Sequence, residues 1–164
     1  MNELWKRASL DPNTISNDEL QMLLNDRLAF VTDNLSTISC QNIDETLFDL
    51  IMLCFDSLNE HRSTILNLWQ NTQMNSQLLC KMQTQLIEAI DTWHQELNIN
   101  WQIGAYIQNT LFLLILFYIS TIWKDDSSPD SSKVMAKTNE IIELLNQGKS
   151  APFDLLQKLK ALIV

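Results

Sequence analysis

The sequence predicts an all-α protein, and three observations lead to this prediction. The 164 residues include only two Gly and three Pro, too few for the many tight turns of a β-sandwich or barrel. Apolar residues recur at the three- and four-residue spacing of a helix with one buried face. Residues that cap helices stand just before these runs, and no stretch alternates strictly as a strand would.

The first predicted helices have recognisable starts. Ser16 and Glu19 form a capping box, which predicts that the first long helix begins at this point. Either Asn42 or Asp44 begins the next helix, which carries apolar residues at helical spacing up to Leu58. Residues 59–62 form a predicted corner, after which a short helix continues.

Two further helices are expected in the middle of the chain. Asn75 can cap the first of them, and an apolar helix then runs from about Asn100 to Trp123. Residues 97–123 contain no Asp, Glu, Lys or Arg. A membrane span needs about 20 mostly apolar residues, and five Asn and Gln side chains interrupt the first half of this one. The pattern favours a buried core helix over a span.

The last helix of the predicted body begins after a polar loop. Ser128 is the expected N-cap, with Pro129 at the first helical position, and Gly148 stands where a C-terminal cap belongs. This completes a predicted helical bundle over residues 41–147, preceded by a short helical segment at residues 1–40.

Residues 148–164 form a separate predicted segment, an amphipathic C-terminal helix. Its charged residues are Lys149, Lys158 and Lys160 against Asp154, so it is basic, whereas residues 1–147 carry a net charge of −11. Such a helix can contact a membrane surface, or it can cap the bundle or pack on another subunit. Its candidate membrane-contact residues are Phe153, Leu155, Leu156, Leu159, Leu162 and Ile163.

The composition excludes several functions. A net charge of −9 and a pI near 4.5 disfavour binding to nucleic acid. Two glycines cannot form a phosphate-binding loop. Asp91 and His94 have the spacing of a di-iron motif, but such a site needs that motif twice. Cys54 or Cys80 could pair with a histidine as a nucleophile, but nothing in the sequence orients such a pair. We therefore expect no enzyme activity, no metal site and no cofactor.

The large apolar side chains leave two interpretations open. Five Trp, six Phe and six Met in a small helical chain can leave a cavity for an apolar ligand between the helices. The same side chains can also fill a solid core.

Three stretches resemble one known family. They are residues 47–62, the Asp91–His94 turn followed by Asn100-Trp101, and the loop at residues 125–130 with the helix after it. In this order they resemble the TetR-like, lipid-binding accessory proteins of ubiquinone (coenzyme Q) biosynthesis, over about residues 45–147. The basic residues that follow Asn-Trp in that family are absent here.

The resemblance implies a non-enzymatic protein that holds an isoprenoid quinone or a phospholipid and presents it to a di-iron demethoxyubiquinone hydroxylase. It implies a TetR-like bundle that forms a homodimer, a tail that touches the membrane, and two groups of contact residues. The partner contacts would be Trp93, His94, Asn100 and Trp101. The lipid contacts would be Leu86, Ile90, Phe112, Leu116 and Met135.

An alternative function is the effector-binding and dimerisation part of a TetR-type regulator that lacks a functional DNA-binding head. Residues 1–40 carry only Lys6, Arg7 and Arg27 as basic side chains, too few for a recognition face. The start resembles neither a secretory signal nor an Arg-rich transit peptide. The expected location is therefore the bacterial cytoplasm, at the inner membrane, rather than the mitochondrial matrix.

Overall fold

A computed structural model describes residues 1–71, 76–101, 103–128 and 130–147. This described part of the chain is helical without strands, as the sequence predicts. It contains seven α-helices: α1 (Asn2–Leu10), α2 (Asn17–Asn34), α3 (Ile43–Asn59), α4 (Arg62–Asn71), α5 (Ser76–Glu96), α6 (Ala105–Asp125) and α7 (Ser132–Gln147). Single turns of 3₁₀ helix at Pro12–Thr14 and Leu35–Thr37 lie on either side of α2.

Two predicted helix starts are confirmed. The Ser16 side chain accepts a hydrogen bond from the Glu19 backbone, and the Glu19 carboxylate accepts one from the Ser16 N–H at 2.9 Å. These reciprocal bonds close the capping box of α2. Of the two starts considered for α3, Asn42 is the N-cap, since its side chain accepts a bond of 2.8 Å from the Glu45 N–H. The predicted caps at Asn75 and Gly148 lie outside the described residues.

The start of the apolar helix was predicted five residues too early. The chain between α5 and α6 is irregular up to Gly104, whose φ of +85° is unfavourable for residues with a side chain. Gln108 in the first turn of α6 reaches back and bonds the Ile99 carbonyl and the Trp101 N–H, each at 2.8 Å. These bonds hold residues 99–101 outside the helix, so α6 begins at Ala105 rather than near Asn100.

The predicted start of α7 is also wrong. The helix begins at Ser132, because Ser131 has a φ of +53° and interrupts any helix that Ser128 would begin. The carboxylate of Asp126 accepts hydrogen bonds from the Lys133 and Val134 N–H groups at 3.0 and 3.1 Å. Ser128 assists, because its hydroxyl accepts a bond from the Ser132 N–H. Pro129 lies outside the described residues.

The helices bury two apolar clusters. The larger one is formed by α3, α5, α6 and α7 with the end of α2, and its fully buried aromatic residues include Trp93, Phe112 and Trp123. The smaller one joins α1 and the start of α2 to α4 and α5 through Trp5, Leu68 and their neighbours. Residues on both sides of position 40 therefore contribute to both clusters.

The helix α6 lies in the larger cluster and supplies eight of its own residues to the buried interior. Of the described helices, α6 alone is long enough and apolar enough to cross a membrane, judged by its length and composition alone. Its buried side chains pack against α3, α5 and α7. This leaves the opposite side of the helix without a packing partner among the described helices.

Candidate functional site

The four predicted partner-contact residues lie in two different environments. Trp93 and His94, near the end of α5, are 1% and 3% exposed, and the Trp93 indole donates a bond of 2.9 Å to the Thr32 hydroxyl in α2. Asn100 is exposed and Trp101 is half-buried in the irregular segment that follows. Only Asn100 and Trp101 are therefore accessible to another protein.

His94 belongs to a buried hydrogen-bond network between α5 and α6. Its Nδ1 lies 2.8 Å from Asn109 Oδ1, and the Asn109 amide nitrogen donates to Asp91 Oδ1 at 2.7 Å. The Asp91 carboxylate can only accept hydrogen bonds, so the NH₂ group of Asn109 must face it, and this fixes the orientation of the Asn109 amide. The amide oxygen then faces His94, and Nδ1 must carry the proton. Gln108 Nε2, 3.0 Å from Nδ1, donates instead to the Ile99 carbonyl.

This arrangement holds His94 as a neutral ring. Its Nε2 is buried and has no hydrogen-bond partner in the described residues, and the ring packs edge-on against Phe112 with centroids 4.9 Å apart. Burial lowers the pKa of His94 from its ordinary 6.5, although the bond to Asn109 and the charge of Asp91 oppose this shift. The network orients the segment at residues 99–101 on α6.

The sequence carries only a partial signal for this network. Gln108 and Asn109 are neighbouring polar residues in the uncharged stretch at residues 97–123. They counted as interruptions of a membrane span, but their roles depend on contacts with α5. Both side chains are buried and hydrogen-bonded. Gln108 bonds the backbone at residues 99–101, and Asn109 bonds His94 and Asp91.

The five predicted lipid contacts differ in their exposure. Ile90 and Phe112 are fully buried in the packed core, and Leu86 and Leu116 are half-buried. Met135 is 39% exposed on α7. The candidate membrane-contact residues Phe153, Leu155, Leu156, Leu159, Leu162 and Ile163 all lie outside the described residues.

The side of α6 that faces away from the core presents an apolar surface. Tyr106, Leu114 and Phe117 are 76%, 37% and 64% exposed. They follow one another at spacings of eight and three residues, which places them on one side of an α-helix. We call these three residues the outer face of α6.

An open cleft lies between α3 and α7. It has a volume of about 410 Å³. It is lined by Asp44, Glu45, Phe48, Asp49, Asn139 and Ile142. Its lining therefore combines three carboxylates from the first half of α3 with two apolar side chains, Phe48 of α3 and Ile142 of α7. We call this space the α3–α7 cleft.

Groups that could perform redox, nucleophilic or metal chemistry were also located. Burial raises the pKa of the Cys54 thiol to about 12, so it stays protonated and unreactive at neutral pH. Cys40 and Cys80 are exposed and far apart in the sequence. No group of three or more His, Cys, Asp or Glu residues suited to a metal ion is found in the described ranges.

The chain matches no protein-family model, no curated protein and no solved structure.

Proposed function

We propose that this chain is a non-enzymatic accessory protein of ubiquinone biosynthesis that binds an isoprenoid quinone or a phospholipid. It would work as a homodimer at the bacterial inner membrane and present its ligand to a di-iron demethoxyubiquinone hydroxylase. The order and spacing of the three sequence stretches described above support the family, and the outer face of α6 supports the apolar ligand.

The outer face of α6 is the observation on which this proposal rests. Tyr106 and Phe117 expose most of their surface on the same side of a helix that lacks charge along most of its length. Exposed apolar patches on proteins commonly mark sites that bind a partner, a membrane or an apolar ligand. Because Ile90 and Phe112 have no exposed surface, we place the proposed lipid on this outer face.

The proposed contact with the hydroxylase is limited to Asn100 and Trp101, because Trp93 and His94 are buried. A Trp101→Ala variant should weaken binding to the purified hydroxylase and leave lipid binding unchanged. A Trp69→Ala variant is the matched control, because Trp69 is also partly exposed but lies on α4.

The alternative is the effector-binding and dimerisation part of a TetR-type regulator. The same outer face favours it, because a second copy of the chain could cover these residues. A DNA-binding role for residues 1–40 gains no support, since Arg27 is buried and pairs with Asp26 and Glu60, and Arg7 pairs with Glu19.

Lipid extraction followed by mass spectrometry tests the proposal. The purified wild-type chain should carry an isoprenoid quinone or a phospholipid, and a Leu114→Ser/Phe117→Ser variant should lose most of it. The control is Leu10→Ser/Leu79→Ser, which alters two apolar residues elsewhere that are at least as exposed. A wild-type chain without lipid contradicts the proposal, and a lipid-free dimer that the Leu114→Ser/Phe117→Ser change dissociates favours the regulator.

The role of the tail needs its own test. If residues 150–164 anchor the chain to a bilayer, their removal should abolish flotation with anionic liposomes. Equal flotation of the full and shortened chains would contradict the membrane contact and leave the lipid proposal standing.

A further inference from the structure

The α3–α7 cleft is lined by apolar side chains and by three carboxylates, and we call these carboxylates its rim. Phe48 is half-buried and Ile142 is 6% exposed, and both line the cleft. Asp44, Glu45 and Asp49 supply three carboxylates along α3. A segment that fits this cleft must be apolar on one side and positively charged at its edges.

The carboxylates of the cleft have no cation beside them in the described part of the chain. The lining contains no Lys or Arg, and the α7 lysine nearest in sequence to Asn139, Lys137, pairs with Glu140. Asp44 accepts a hydrogen bond of 2.6 Å from the Asn146 amide. The donor is a neutral amide, so no described side chain supplies a positive charge to the rim, although Asp44 and Glu45 gain some stabilisation from the start of α3.

The chain that follows α7 has the complementary pattern. At 100° per residue, the four leucines and the isoleucine cover one side of a predicted helix, and Lys158 and Lys160 fall on opposite edges of that side. These five residues are Leu155, Leu156, Leu159, Leu162 and Ile163. Its one acidic residue, Asp154, falls on the other side of the predicted helix.

The end of α7 lies at the rim of the cleft. Asn146, one residue before that end, touches Asp44 at the rim. Residues 148–152 contain Gly, Ser and Pro, which favour a reversal of the chain. A short connection keeps the effective concentration of the segment at the cleft high, so weak contacts suffice to hold it.

We propose that residues 150–163 of the same chain dock in the α3–α7 cleft. Their leucines cover Phe48 and Ile142, and Lys158 and Lys160 pair with the carboxylates of the rim. This goes beyond the proposed function, because the docked state needs no lipid. An anionic membrane would compete with the cleft for the same leucines and lysines.

Zero-length carbodiimide cross-linking tests the docking on the delipidated full chain. The reagent joins an ammonium group to a carboxylate only when they are in contact, so mass spectrometry should find Lys158 or Lys160 joined to Asp44, Glu45 or Asp49. Asp18 and Glu88 are exposed carboxylates on other helices and serve as internal controls. We expect at least about tenfold more cross-links to the cleft than to these controls, because tethering favours a docked partner.

A variant of the segment separates docking from chance encounters. Leu155→Ser/Leu159→Ser keeps all the groups that react and changes nothing in the described bundle. It should lower the cross-links to the cleft about tenfold, since the apolar contact is lost. An Ala151→Ser/Ala161→Ser variant is the control, because it changes two small residues outside the leucine set and should leave the yield unchanged.

Three results would each overturn the proposal. The first is an equal yield at the cleft, Asp18 and Glu88. The second is a yield that Leu155→Ser/Leu159→Ser does not change. The third is cross-links mainly between copies, seen when ¹⁴N- and ¹⁵N-labelled chains are mixed, which would assign the cleft to another copy. None of these results depends on lipid, so the proposed function can fail or succeed separately.

Discussion

The indole N–H of Trp123, near the end of α6, donates a hydrogen bond of 2.7 Å to the side-chain oxygen of Asn59, at the end of α3. The Asn59 amide in turn donates to the Ser131 hydroxyl at 3.3 Å. The Arg62 guanidinium lies 4.4 Å from the Trp123 ring and bonds the Trp123 and Asp126 carbonyls. These bonds join the α3–α4 corner to the α6–α7 loop.

The bond between Asn59 and Trp123 should be measurable by a double-mutant cycle. Asn59→Ala and Trp123→Phe each remove one partner, and we expect them to be coupled by about 1 kcal/mol in the free energy of unfolding. Urea denaturation of the four chains gives this value. The control replaces Trp123→Phe with Trp93→Phe, whose indole bonds Thr32, and its coupling to Asn59→Ala should be near zero.

Asp126 should be the most sensitive charge in the α6–α7 loop. One carboxylate oxygen accepts bonds from Ser128, and the other accepts the Lys133 and Val134 N–H groups. An Asn side chain must present its NH₂ to one of these donor pairs, so Asp126→Asn should cost about 2 kcal/mol in the free energy of unfolding. Asp125→Asn, at the exposed neighbour, should cost less than about 0.5 kcal/mol.

The Asp126 effect should also depend on pH. Its hydrogen bonds hold its pKa at about 2, below the ordinary 3.8. A carboxylate with a depressed pKa contributes its full stability above 3.8, and this contribution is lost as the pH falls toward about 2. The difference between the wild-type chain and Asp126→Asn should therefore shrink between pH 4 and 2. A constant difference over this range would contradict the assignment.

Protonation of His94 should destabilise the fold below neutral pH. Because burial lowers its pKa below 6.5, the unfolded chain takes up the proton first, and stability falls as the pH drops through 6.5. His94→Asn keeps a donor toward Asn109 but does not titrate. Its free energy of unfolding should fall less steeply between pH 7.5 and 5.5 than that of the wild-type chain. The slope that remains should include His61, whose pKa burial also lowers.

The sequence predicts those elements of the fold whose determinants are local. The Ser16–Glu19 capping box and the Asn42 cap act over three residues, and both could be predicted from their spacing alone. The start of α7 could not, because it depends on Asp126, seven and eight residues before the N–H groups that it bonds. The run Ser128-Pro129-Asp130 is a stronger local signal for a helix start than any at Ser132. The longer-range bonds of Asp126 override this signal.

The candidate site was harder to predict because its residues depend on contacts between helices. The sequence pattern cannot separate Trp93 and His94, which point into the core, from Trp101, which lies half-exposed seven residues later. The sequence shows that α6 has apolar residues on all sides. Only the packing shows which side the other described helices leave uncovered. The same limit applies to Phe112 and Met135. Both are predicted lipid contacts, but Phe112 is fully buried and Met135 is 39% exposed.

Two phenylalanines of α6, five residues apart, should respond in opposite ways to the same substitution. Phe112 is fully buried, so Phe112→Ala should lower the free energy of unfolding by about 3–5 kcal/mol. Phe117 is 64% exposed, so Phe117→Ala should change it by less than about 0.5 kcal/mol in dilute, lipid-free protein. Urea denaturation at several protein concentrations measures both.

If a second copy covers the outer face of α6, the cost of Phe117→Ala should grow with concentration, while that of Phe112→Ala should already be large at the lowest concentration. Equal costs in dilute protein would show that Phe117 is buried in the monomer and would contradict the outer face.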